Sequence, residues 1–224
     1  MLQLRNRRIL WVALVAILVI AAGAAWVVSA SLTHSTAPGT TDMSGKQVAL
    51  DPGTLPSAEV QKQMHAVADT GPRFRVPAVG LDVPVGQISV AGGQLTPPGF
   101  TSVYAVRNLG TTATTPGKGT VYVVTHSLRG GGKAPGNYLT DVARQKAAVT
   151  KGEAVFVGST EYTISGTELV KKSDIGAQKA LWANTPNRLA VITCLEKPSG
   201  APSTDNLVIY ATVAKPSPTA TPRG

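Results

Sequence analysis

The sole cysteine of the sequence, Cys194, ends a β-branched run, Arg188-Leu-Ala-Val-Ile-Thr-Cys194, which gives way to the loop LEKPSGAPSTDN. A second run, Gly119-Thr-Val-Tyr-Val-Val-Thr-His126, stops in the same manner at a histidine and passes into SLRGGGKAPGN. A rigid strand that delivers a side chain to a loop-lined rim is how scaffolds position reacting groups. A thiol reacts as its thiolate, with an ordinary pKa near ~8.5, so it needs a base or a positive neighbour. An imidazole meets that need and can later protonate a leaving amine. Taken alone, a histidine at a strand end is more often structural than catalytic. The other two fit this chemistry poorly, because His34 lies in a Ser/Thr-rich stretch and His65 in a short helical segment. Cys194 and His126 are therefore the candidate site residues, with Cys194 as nucleophile and His126 as its partner.

Several segments have to position this pair. Hydrophobic residues make up 43% of the chain and charged ones 15%, with 23 glycines, 16 prolines and few aromatics, a balance that favours strands and turns over a helical bundle. Short apolar segments separated by turn signals predict strands at 74–76, 83–85, 102–105, 120–125, 154–157, 162–165, 189–193 and 207–213. Eight strands in this length point to a closed or nearly closed barrel, since closure removes exposed edges. Short helices are expected at 57–68 behind a Ser57 cap, at 137–146, and at 175–182 behind Asp174.

Upstream, Ile9 to Val28 carries neither charge nor proline. As a helix it spans about 30 Å, the thickness of a bilayer core. Arg5, Arg7 and Arg8 precede it, which places the N-terminus in the cytoplasm. The segments are then a basic cytoplasmic N-terminus (1–8), a transmembrane signal anchor (9–30) and an extracellular spacer with a short helix (31–71). A catalytic barrel (72–214) and a disordered Pro/Thr-rich tail (215–224) follow. Val28-Ser-Ala30 also resembles a cleavage site, so a removed signal peptide is the rival to an anchor. Either way the barrel is expected outside the membrane. There one cysteine permits no internal disulfide, leaving an intermolecular pair, a buried inert residue or a reactive thiol.

The formal net charge is +9, which suits nucleic acid, a membrane surface or an anionic wall polymer. No zinc spacing, basic helix or aromatic-basic platform supports nucleic acid as a partner. No phosphate loop, dinucleotide fingerprint or calcium loop is present, so neither a cofactor nor a metal is expected.

From Phe74-Arg-Val-Pro-Ala-Val-Gly-Leu-Asp-Val-Pro-Val85 to Val213, about 140 residues, the sequence resembles the sortases, in particular the actinobacterial-type class F. The stations between are Gly92-Gly93, Pro97-Pro98, Pro116-Gly-Lys-Gly-Thr-Val121, the histidine strand, Asn137-Tyr-Leu139 and Thr150-Lys-Gly-Glu-Ala-Val155. They end with Ile-Thr-Cys194 and Asp205-Asn-Leu-Val-Ile-Tyr-Ala211. The resemblance implies a mainly β, eight-stranded barrel with short helices. It also implies a transpeptidase that cuts a sorting motif in secreted proteins, holds the acyl part as a thioester and passes it to an amine of a wall precursor or pilin. Position by position it makes Cys194 the nucleophile and His126 the acid/base, and gives Thr193 a part in the pocket floor. It departs at two places. Thr125 replaces the glycine before the histidine, and Ser203-Thr204 occupy the place of the family's arginine. Arg129 and Arg107 are the candidate replacements, while Arg188 lies too far back along the cysteine strand. The rival readings are a catalytically impaired binding module and a plain cysteine hydrolase.

Overall fold

The computed structural model describes residues 41–48 and 55–215. The basic N-terminus (1–8), the anchor expected at 9–30, residues 31–40 and 49–54 of the spacer and all but the first residue of the tail lie outside them. No helix among the described residues is long and apolar enough to cross a membrane.

Ten strands follow one another: β1 (Arg73–Val76), β2 (Leu81–Ile88), β3 (Val103–Val106), β4 (Thr120–Val124), β5 (Thr140–Asp141), β6 (Lys146–Ala147), β7 (Ala154–Val157), β8 (Thr160–Lys171), β9 (Arg188–Leu195) and β10 (Asp205–Val213). Helices α1 (Ala58–Gln63), α2 (Pro135–Leu139) and α3 (Lys179–Trp182) are short. All eight expected strands are present, and they close into a barrel in the order β1-β2-β3-β4-β9-β10-β8-β7. Two of its pairings, β2 with β3 and β4 with β9, are parallel.

Period-2 alternation builds the core in two layers. Val121 and Val123 of β4, Leu189 and Val191 of β9, and Leu207 and Ile209 of β10 fill the barrel interior. The intervening Tyr122, Val124, Ala190, Ile192 and Val208 form a second apolar cluster with Met64, Ile88, Val170 and Leu181. Both faces of β4 and β9 are thus buried, which explains why those two runs are apolar without a break.

A polar clasp fixes the lower end of this parallel pair. Asn184 Oδ1 accepts from the Thr120 amide at 2.9 Å, and the Tyr122 hydroxyl lies 3.0 Å from the carbonyls of both Leu181 and Ala183. Arg188 donates through Nη1 to Ala180, through Nη2 to Leu181 and Ala183, and through Nε to Thr120 Oγ1. This guanidinium is therefore occupied where β4 and β9 begin.

Four expectations need correction. The helix expected over 137–146 is only Pro135–Leu139, after which a two-stranded hairpin of β5 and β6 takes over. Asp141 directs that turn by accepting the Arg144 amide at 3.0 Å and its guanidinium at 2.9 Å. The helix expected at 175–182 is split into a 3-10 turn, Ile175–Ala177, and α3, and Asp174 makes no side-chain cap. The helix expected at 57–68 ends at Gln63, because His65 takes a left-handed φ of 46° that a helix cannot contain. Ser57 caps it as expected, accepting from the Val60 amide at 3.4 Å. Finally, the strand expected at 162–165 runs on to Lys171 through an irregular register opposite Tyr210 and Ala211, so Gly166 marks a bulge and not an end.

Candidate active site

At their upper ends β4 and β9 run side by side in the same direction, Val124 paired with Ile192. The Thr125 amide donates to the Ile192 carbonyl at 3.1 Å, carrying the pairing one residue further. His126 lies two residues beyond Val124, and Cys194 two beyond Ile192. Both inherit the outward parity of Val124 and Ile192, and both line one cavity of about 780 Å³. Both side chains are partly exposed, so the sulfur is not sealed inside the barrel.

The loop after His126 is tied down by the residues beneath it. The Gly136 amide donates to the His126 carbonyl at 2.9 Å. Asn137 Oδ1 accepts from the amides of Leu128 and Ala134, at 2.9 and 2.8 Å, and its Nδ2 returns a bond to the Leu128 carbonyl. The buried hydroxyls of Ser127 and Thr193 meet at 3.1 Å, joining the histidine loop to the cysteine strand. Outside them, the Asp42 carboxylate accepts the Lys133 amide at 2.9 Å, and the Met43 amide donates to the Lys133 carbonyl. Bonds from Ser44 and Lys133 hold that carboxyl below the usual range.

The imidazole is oriented from its far side. His126 Nε2 lies 2.8 Å from the Pro97 carbonyl. A carbonyl only accepts, so Nε2 carries the hydrogen and the neutral ring leaves Nδ1 bare. The Phe100 ring packs against it with centroids 5.0 Å apart. Burial depresses the His126 pKa, partly countered by the Pro97 bond, and the charge of Lys172 depresses it further. Burial raises the Cys194 pKa, Lys172 lowers it by charge and hydrogen bonding, and Glu196 raises it. At rest near neutrality the site therefore holds a thiol and a neutral imidazole.

These shifts fix how stability varies with pH. The folded state disfavours protonated His126, so that stability is complete above the unfolded value of ~6.5 and declines as pH falls through it. It equally disfavours ionised Cys194, so stability declines as pH rises past ~8.5. Urea midpoints should therefore form a plateau between the two limbs. His126→Gln should flatten the acid limb and Cys194→Ala the alkaline one, whereas identical profiles for all three proteins would contradict the assignment.

Of the cations considered from sequence, Arg129 lines the cavity. Arg107 donates to the His65 carbonyl, and Arg188 belongs to the clasp. Thr193 lines the cavity too. The place expected to hold an arginine is closed by short side chains. Ser203 Oγ lies 2.6 Å from the Leu195 carbonyl, and Thr204 Oγ1 lies 2.7 Å from Asp205 Oδ2. Sequence reading missed Lys172, because with β8 ended at 165 nothing assigned that residue to a strand face.

No family model matches the sequence, and no curated protein matches it. Among solved structures the chain is similar to the pilus-related sortase C of Group B Streptococcus, at 12% identity over 74% of this chain and 77% of that one, with a TM-score of 0.49. Sortase C-1 of Actinomyces oris is similar at 15% identity over 74% and 84%, with a TM-score of 0.47. Sortase A of Listeria monocytogenes is similar at 19% identity over 64% and 86%, with a TM-score of 0.46. Identities and scores of this size say nothing of this chain's chemistry, which its own residues must supply.

Proposed function

We propose that this protein is a sortase-type cysteine transpeptidase of the class F kind, held at the cell membrane by its N-terminal helix with the barrel outside. The observation that carries the reading is the delivery of Cys194 and His126, from parallel neighbouring strands, to one face and one cavity. His126 takes the proton of the Cys194 thiol on Nδ1, the resulting thiolate attacks the carbonyl carbon of a sorting motif, and the carbonyl π electrons move to oxygen. The tetrahedral intermediate collapses, the C–N bond breaks, and the departing amine takes a proton from His126. The acyl part then remains as a thioester on Cys194. A wall-precursor or pilin amine attacks that thioester, His126 accepts the incoming proton, and the thiolate leaves. The cavity supports this use because Cys194 and His126 line it together, with the apolar Val124, Ile192 and Phe100 around them.

The short residues at Ser203 and Thr204 favour a second reading, a binding module of the same fold with impaired catalysis. One experiment addresses both. The full chain, incubated with a library of peptides patterned on the C-termini of secreted proteins, should acquire a mass on Cys194 equal to an acyl fragment. Hydroxylamine should remove that mass. Product that forms only when an amine is added marks a transpeptidase, and amine-independent product marks a hydrolase. Absence of any Cys194 adduct across the library overturns the enzymatic reading.

A further inference from the structure

Burial works against the chemistry just described, because it opposes a thiolate and an imidazolium together. Four charged or titratable groups face Cys194. Glu196 comes from its own strand, Lys172 follows β8, and His126 and Arg129 stand on the histidine loop. Glu196 opposes a thiolate. A charged His126 would favour one, but Lys172 opposes that charge on His126. Lys172 itself favours the thiolate, and it lines the same cavity as Cys194.

The ladder shows how a residue two strands away arrives there. Cys194 pairs with Asn206 of β10, and Asn206 pairs with Val170 of β8, so these three form one row across the sheet. Val170 belongs to the same outer cluster as Ile192, and Lys172 is two residues on, with the same parity. The Lys172 amide donates to the Thr204 carbonyl at 2.9 Å, which continues the β8–β10 pairing past Lys171–Asp205. Lys172 therefore stands beside Thr204, one same-face step beyond the cysteine row. Adjacent strands lie about 4.8 Å apart, so the Lys172 backbone stands two spacings across from Cys194 and one same-face step along, and both residues line the one cavity. Thr204 and Ser203 carry short side chains.

We propose that Lys172 is the cation of this site, pairing its ammonium with the Cys194 thiolate. It answers for the charge that the sequence lacks at positions 203–204, from the neighbouring strand. The assignment rests on Cys194 being the nucleophile, and it predicts properties of the sulfur that need no peptide.

The test is the pH dependence of Cys194 alkylation by iodoacetamide in the full chain, with the His126 titration followed by NMR. Lys172 is exposed, so its substitution leaves the core intact, which a melting curve verifies. Lys172→Met should slow alkylation near neutrality about three- to tenfold, because loss of thiolate is only partly offset by greater nucleophilicity. It should move the alkylation midpoint to higher pH and the His126 titration upward as well. Lys172→Arg should restore both. Lys171→Met, which removes the same charge from the opposite face of β8, should leave both unchanged. A Lys172→Met profile that superimposes on the wild type overturns the proposal, and so does an equal loss from Lys171→Met. A shifted profile in a protein that forms no peptide adduct would sink the transpeptidase reading while keeping the pairing. The reverse pattern would do the opposite.

Discussion

Cys194→Ala is expected to abolish turnover, lowering it by at least about 10⁴-fold, as removal of an attacking atom does when the remaining groups act only with it. The variant should fold normally, since the side chain lost is small and partly exposed. That separates the two functional readings. An enzyme loses its product and its adduct together, while a binding module retains partner capture at undiminished affinity. Peptide turnover assayed by mass spectrometry, alongside a pull-down with the same peptides, reads both at once. Product formed by the alanine variant at a rate near the wild type would eliminate Cys194 as nucleophile.

Gly136→Ala is expected to lower activity by about 10²-fold, through packing beneath the pair and not through the attacking atom. A Cβ there would lie 2.0 Å from Thr193 Oγ1, 2.5 Å from Ser127 Oγ and 2.6 Å from the His126 carbonyl oxygen. The two hydroxyls can rotate, but the carbonyl is backbone and already accepts the Gly136 amide. The methyl group must therefore push β4 and β9 apart or lift α2. Overpacking of this kind costs about 1–3 kcal/mol. A displacement of about 1 Å between reacting groups can cost ~10² in rate. Thermal melts and turnover should both fall, with turnover falling further. Wild-type values for both would mean that α2 does not pack as described.

The barrel was legible because its signals are local and redundant. Alternation in β1, β7 and β10, and the uninterrupted apolar runs of β4 and β9, each name a strand without reference to the rest. Pro84 and Gly86 made β2 look three residues long. Pro84 is tolerated there because pairing with β3 begins only at Val85. That Cys194 and His126 reach one cavity was legible for the same reason, since each residue ends a run that can be recognised on its own. What was hidden depends on partners far away in sequence. The helix expected at 137–146 yields to the Asp141 turn. Lys172 was invisible because the strand was expected to stop at Ser165, whereas the sheet carries it past an irregularity at Ser165–Gly166 as far as Lys171. Arg188 shows the converse, a conspicuous cation consumed by carbonyls of the segment just before it.

The order of strands around the barrel sets when this protein can first act. β10, the last strand among the described residues, inserts between β8 and β9, which are adjacent in sequence but not in space. Until it does so, β8 and β9 are joined only the long way round, through β7, β1, β2, β3 and β4, and Asn206 and Thr204 are not there to bridge the thiol and the lysine. A chain emerging from its N-terminus therefore presents Cys194 before the strand that flanks it. Barrel closure therefore waits for β10, and the row that runs from Cys194 through Asn206 to Val170 is complete only when that strand is in place.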